Sequence, residues 1–152
     1  MEVDMRPNSI RQFDRYFLAS IALGLFNSVL SASDSLAMLN SDPATAQAGF
    51  SLAFVITTSV FVLGMPLLLW FFISRMASNV AKWILVVMTV LGLLMLPLML
   101  PRMMEYKTAT LVITGVLTLL QLFAITFLFR ADAKAWLESR GKVSPINPNV
   151  FD

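Results

Sequence analysis

Residues 16–38 read YFLASIALGLFNSVLSASDSLAM, and the fold turns on how that stretch is understood. It is apolar enough, and long enough, to cross a hydrocarbon core of roughly 30 Å as a helix. Within it Ser20, Gly24, Ser28 and Ala32 recur at every fourth position, a spacing that stacks them into one small-residue ridge. Asn27 and Ser31 flank the ridge with polar atoms at membrane depth, and Asp34 follows near its far end. Between helices in lipid there is little hydrophobic drive, so close backbone approach and polar contacts decide which helices meet. This helix is built to be surrounded by protein.

Three further apolar runs of similar length follow, at about 50–73, 80–99 and 108–129. The 152-residue chain is 58% hydrophobic and 13% charged, a composition outside the range of soluble domains. Period-two alternation is missing from the runs, which argues against a membrane barrel. The expected fold class is therefore all-α, a polytopic membrane protein with a bundle of four transmembrane helices and short interfacial helices at the N- and C-terminal ends. Residues 1–15 form an interfacial arm, 16–129 the transmembrane domain, and 130–152 an interfacial helix with an extended tail. Ser9 is the expected N-cap of the arm, with Gln12 completing a capping box. Ser31-Ala32-Ser33 has the small residues of a signal-peptide cleavage site. The leader, however, carries Glu2, Asp4 and Asp14, and the apolar run continues through Leu39. A retained span is the better reading.

The connections divide by charge. Asn40 to Gly49 holds no Lys or Arg, and the connection from Arg102 through Glu105 and Tyr106 to Lys107 holds two. The N-terminal arm, the connection with Arg75 and Lys82, and the C-terminal arm hold the remaining nine. Basic residues stay on the cytoplasmic side, so both termini are expected there. Tyr16, Trp70, Trp83 and Trp136 fall at that same level and read as membrane-interface anchors. Trp136 and Leu137 are expected to dip into the interface on a helix that continues straight out of the fourth span and stops at Gly141. Gly64 and Pro66 mark a bend in the second span, while Pro97 and Pro101 are expected to end the third. The tail after Gly141, with Pro145 and Pro148, is expected to be extended.

The residues also restrict the chemistry. There is no Cys and no His, which removes thiol chemistry, iron–sulfur ligation and the commonest ligand of zinc, copper and membrane haem. The ten Met residues are scattered through apolar helices and read as packing. No cofactor or metal is called for, and a net charge of +2 gives no reason to invoke nucleic acid. Nucleophile elbows, phosphate loops and paired carboxylates at catalytic spacing are not visible, and the Ser and Thr residues lack a base. The chain reads as no enzyme.

Thr110, Thr114 and Thr118 continue at helical spacing into Gln121, a polar stripe on the fourth span. Asn27 and Gln121 lie roughly 16 and 12 Å inward from the basic side at the helical rise, and are expected to meet between spans one and four. Asp34 lies near the outer boundary and reads as a cap or outer-face contact, since a proton-coupled carrier places its carboxylate deep, where protonation is switchable. The small multidrug exporters share the four-span size and carry an acid inside the first helix; Asn27 stands in that region here.

The stretch Ile73-Ser74-Arg75-Met76-Ala77-Ser78-Asn79-Val80-Ala81-Lys82-Trp83, followed by an aliphatic span, resembles a segment of small uncharacterised bacterial four-helix membrane proteins. The close of the fourth span, Leu128-Phe129-Arg130-Ala131-Asp132-Ala133-Lys134-Ala135-Trp136, is similar to theirs too. The resemblance implies a bacterial inner membrane and no known activity. The expected role is an accessory or assembly subunit docked on other membrane-protein subunits and surrounded by lipid. Its interface draws on Ser20, Gly24, Asn27, Ser28, Ser31, Ala32, Thr114, Thr118 and Gln121. The alternative is a small transporter or channel acting as a homo-oligomer, with Asn27, Gln121 and the Gly64/Pro66 bend along its path.

Overall fold

The structure is a computed structural model that describes residues 6–43, 45–104 and 107–141. Glu105 and Tyr106, the first five residues, and the tail with Pro145 and Pro148 lie outside the described residues. Five α-helices follow in order: α1 (Asn8–Ser41), α2 (Leu52–Met76), α3 (Asn79–Met103), α4 (Thr108–Phe127) and α5 (Ala131–Glu138). A short 3-10 turn, Ala46–Ala48, joins α1 to α2, and the described residues contain no strand. Four of the helices are long and apolar enough to cross a membrane. The chain is a multi-pass helical membrane protein.

The expected N-terminal interfacial helix is not separate. It runs unbroken into the first span, so α1 has 34 residues and is about 51 Å long, well beyond the hydrocarbon thickness. Ser9 is not its cap: the helix starts after Pro7, with no side-chain cap of its own, and the Gln12 Oε1 is buried without a partner. The Ser9 hydroxyl is instead engaged by another helix. Ser51 does cap α2, its Oγ accepting from the Phe54 amide at 3.3 Å, and Ser78 does the same for α3 through the Ala81 amide at 3.2 Å. Between those two helices Ala77 takes a left-handed conformation (φ 48°). The Ser78 amide reaches back to the Phe72 carbonyl at 3.0 Å, which closes α2 with the six-to-one bond of a Schellman turn.

The prolines of α3 interrupt less than expected. α2 stays helical through Pro66, and α3 passes both Pro97 and Pro101 before ending at Met103. Each proline deletes only its own amide bond, and a membrane helix absorbs that locally. The helix after the fourth span differs in the opposite sense. α4 stops at Phe127, the next three residues turn, and α5 folds back. Amides of Leu128, Phe129 and Arg130 bond the carbonyls of Ile125, Thr126 and Phe127, closing the end in tight three-residue steps. The reason lies in packing. Leu128, Ala133, Trp136 and Leu137 are all buried in the core, where a straight continuation would have carried them away from the other helices.

α1 is the central element, packed along α4 on one side and α2 on the other. α3 rests on α2 and barely touches α4, and α5 lies across the start of α1. The core gathers at one end of the molecule. Ile10, Phe13, Phe17 and Ile21 of α1 meet Leu69 and Ile73 of α2, Ala81 and Leu85 of α3, the end of α4, and α5. We call this the packed end.

Candidate functional site: a polar seam and an open cleft

Three polar ties join α1 to the antiparallel α4 and α5. At the packed end, Asp132 accepts from Ser9 twice, from the hydroxyl at 2.7 Å and from the backbone amide at 3.2 Å. At mid-depth the Asn27 amide Nδ2 donates to Thr114 Oγ1 at 3.1 Å. At the far end Lys107 Nζ lies 3.1 Å from Asp34 Oδ1. Going from tie to tie, the steps up α1 equal the steps back along the partner chain segment, so all three keep one antiparallel register. Asp34 thus pairs with Lys107 at the end opposite Ser9 and Asp132, with its Oδ2 buried and unbonded.

The expected contact between Asn27 and Gln121 is not made. Gln121 lies seven residues beyond Thr114 in α4, roughly 10 Å along the axis. The threonine stripe also winds, because four-residue steps slip by about 40° each on a helix of 3.6 residues per turn. Thr110 is buried and Thr114 meets Asn27. Thr118 and Gln121 have turned away and line a different feature. That feature is a cleft of about 290 Å³ between α2, α3 and α4, walled by Pro66, Leu69, Leu85, Met88 and Gly92 among others. Thr118 satisfies itself on the Thr114 carbonyl at 2.8 Å, as Thr89 does on Leu85 at 2.9 Å. The Gln121 amide has no hydrogen-bond partner among the described residues.

The small-residue ridge is used inside the chain. Gly24 is buried, and a Cβ there would sit 3.3 Å from Leu63 Cδ2 of α2. Ser20 is buried, its hydroxyl returned to the Phe17 carbonyl at 2.7 Å. Ser28 faces Ile56, Ser59 and Val60 of α2 across a gap of about 50 Å³. Ser31 returns its hydroxyl to the Asn27 carbonyl at 2.9 Å, and Ala32 is half-buried. The hydroxyls of Ser20 and Ser31 are thus bonded to their own helix and do not compete with packing on α2.

The four aromatic residues expected at the interface have different surroundings. Trp83 is exposed, set edge-on to Phe129 at 6.1 Å. Tyr16 stacks on Phe127 and meets Phe123 edge-on, which ties α1 to α4. Trp70 is half-buried and donates its indole N–H to Asp14 Oδ1 at 2.8 Å. Asp14 Oδ2 in turn holds Arg6 at 2.8 Å, and Arg6 donates to the buried Ser74 hydroxyl at 3.0 Å. Trp136, with Leu137 beside it, is buried in the core at 5% exposure, because α5 folds back.

Asp132 is the residue that the pattern concealed. Burial raises its carboxyl, but the two Ser9 hydrogen bonds and those from its own helix amides outweigh that and hold it below the ordinary value of 3.8. A carboxylate set against the first amides of α1 also meets the positive end of that helix. The available signal was an acid in the first turn after an arginine; nothing in the linear sequence pointed it at Ser9. Chemically, the seam binds helices together, and the cleft presents one amide in apolar walls. No group of three His, Cys, Asp or Glu side chains among the described residues comes together to hold a metal. No protein family, curated protein sequence or solved structure matches this chain.

Proposed function

We propose that this protein is a non-enzymatic accessory or assembly subunit of a larger membrane complex, in a bacterial cytoplasmic membrane with both termini inside. One observation carries the reading: Gln121, an amide with no partner in the described chain, opens into an apolar intramembrane cleft at the place where α3 and α4 fail to close. An unbonded amide in hydrocarbon costs several kcal/mol on the order of a lost hydrogen bond and its desolvation. A transmembrane helix from a partner subunit, bearing a hydrogen-bonding side chain at that depth, removes the penalty. Lipid tails do not, since they offer no donor or acceptor. The broad aliphatic faces of α2 and α3 then contact lipid or the partner.

The transporter alternative draws on the fact that Pro66 and Gln121 share the cleft. It lacks a broken helix, since α2 is continuous, and Asn27 is held on α4 by its Nδ2 bond to Thr114, with its Oδ1 buried and unbonded. The deciding experiment is gentle extraction of the tagged chain from its native membrane, with native sizing and mass spectrometry. Stoichiometric co-purification with other membrane subunits, lost in Gln121→Leu while the chain stays folded, is the expected result. A homo-oligomer without any other chain would overturn it in favour of the transporter reading.

A further inference from the structure

The turns that end α2 and α5 meet at the packed end, where a Cβ on Gly141 would sit 3.7 Å from that of Ala77. Each turn holds a residue other than glycine in the left-handed region, Ala77 at φ 48° and Arg140 at φ 52°. The Gly141 amide bonds the Trp136 carbonyl at 2.9 Å, so Arg140 takes the position of a Schellman turn that usually belongs to glycine. The glycine comes one residue later. A side chain in that conformation costs backbone energy, and here it carries a guanidinium.

Two adjoining cavities open on these turns, and Met76, Ala77 and Arg140 wall both of them. The first, of about 380 Å³, is basic: Arg6, Arg75 and Arg140 line it beside Ser74. Arg6 is held by Asp14 and by the Ser74 hydroxyl. The guanidiniums of Arg75 and Arg140 make no hydrogen bond or ion pair among the described residues. Glu138 lines the second cavity, of about 560 Å³, without pairing with either of them. Two arginine forks at one cavity suit an oxyanion, above all a phosphate, whose oxygens accept two bonds from each fork.

The surroundings decide which phosphate. Phe61, Met65, Leu68, Phe72 and Met76 recur at steps of three and four along α2, and all are exposed, so they form one apolar face. That face runs directly into the cavities, because Phe72 and Met76 are part of the second one's wall. A molecule seated there meets free arginines at the helix ends and hydrocarbon surface below them, the two halves of an acidic phospholipid.

We propose that the cavities between the ends of α2 and α5 seat one anionic phospholipid, its phosphate on Arg75 and Arg140 and its acyl chains along Phe72, Leu68 and Met65. The Gln121 cleft shares no lining residue with either cavity, so the seat stands whether or not the subunit reading holds.

The test uses the full chain in neutral detergent, with native mass spectrometry of retained lipid and a thermal melt of each variant. Added phosphatidylglycerol is expected to stay bound where phosphatidylcholine does not. Arg75→Gln and Arg140→Gly each lower that retention by about fivefold, in line with one basic residue at an anionic surface. Arg140→Gly also relieves the left-handed backbone, so its melting temperature holds or rises while lipid is lost. Lys107→Met removes the same charge at the far end and leaves retention unchanged. Unchanged retention in both arginine variants would overturn the seat, whatever their stability. An equal loss in Lys107→Met would reduce it to an effect of net charge and overturn it too. Displacement of bound phosphatidylglycerol by millimolar inorganic phosphate at constant ionic strength would assign the cavity to a soluble phosphate and overturn its lipid identity.

Discussion

The two ends of this molecule are built from the same four apolar helices and follow different physics. At the packed end Phe13, Ile10, Ile73, Leu128 and Leu137 are fully enclosed by protein. Their helices are also tied by Ser9–Asp132 and by the chain Ser74–Arg6–Asp14–Trp70. At the far end the large apolar residues look outward, Val29 at 75% and Phe61 at 78% exposed, and the polar contact joining α1 to α4 there is the pair Asp34–Lys107. In water such a surface would be untenable. In a bilayer it is solvated by lipid, and protein–protein burial is needed only where a helix must hold a set position. Hydrophobicity alone does not separate a core from a lipid-facing surface in this protein.

The largest contrast is therefore between two phenylalanines. Phe13→Ala opens a cavity among fixed side chains and is expected to cost about 3–5 kcal/mol. Phe61→Ala exchanges one lipid-facing surface for another and should stay within about 0.5 kcal/mol. Unfolding of both variants in bicelles measures the difference; equal losses would mean that the far end is as tightly packed as the other. Next comes Gly24, at the boundary between the two regimes. Gly24→Leu drives a side chain into Leu63 and is expected to cost about 1–3 kcal/mol. Gly24→Ala should be nearly neutral, because the atom it meets at 3.3 Å is the tip of a flexible leucine. A neutral Gly24→Leu would show that α1 and α2 do not rely on close approach.

The same contrast explains what the chain disclosed in advance. The four spans were legible because length and hydropathy respond to the bilayer, and Gly24 was legible because a four-residue period is a property of one helix. What was concealed depended on register between helices. Asn27 was recognised as a bonding group, yet its partner is Thr114 rather than Gln121, since no local pattern fixes how far α4 slides along α1. Trp136 carries the amphipathic marks of an interfacial anchor, and its burial follows from the turn at Leu128–Arg130, which only the tertiary core explains. Ser9 has the signature of an N-cap and instead supplies bonds to Asp132.

That last pair gives the next prediction. The Asp132 carboxyl is held below 3.8 in the fold, so the ionised form is the stabilising one. Its contribution is complete above the ordinary carboxylate range and is lost as pH falls through the depressed folded value. Asp132→Ala is expected to cost about 0.5–2 kcal/mol at neutral pH, the range for losing a helix N-terminal cap, and to flatten the acid limb of the stability profile below pH 4. Amide hydrogen exchange in residues 8–12 should quicken in the variant. An unchanged acid limb would remove Asp132 from the set of ties that make the packed end rigid.

The smallest effect belongs to Asp34 and Lys107. Their atoms are as close as those of many stable ion pairs, at 3.1 Å, but the lysine side chain is 71% exposed and the aspartate retains one buried, unbonded oxygen. Long side chains held loosely at an accessible boundary contribute little, and screening reduces that further. A double-mutant cycle with Asp34→Asn and Lys107→Met is expected to give a coupling of about 0–1 kcal/mol, falling as salt is raised. The Ser9–Asp132 coupling, made of short hydrogen bonds at a helix start, should by contrast keep most of its value in the same salt series. A far-end coupling as large and as salt-resistant as that of Ser9–Asp132 would mean that both ends are locked. The asymmetry would then lie in the side chains that face lipid and not in how the helices are held.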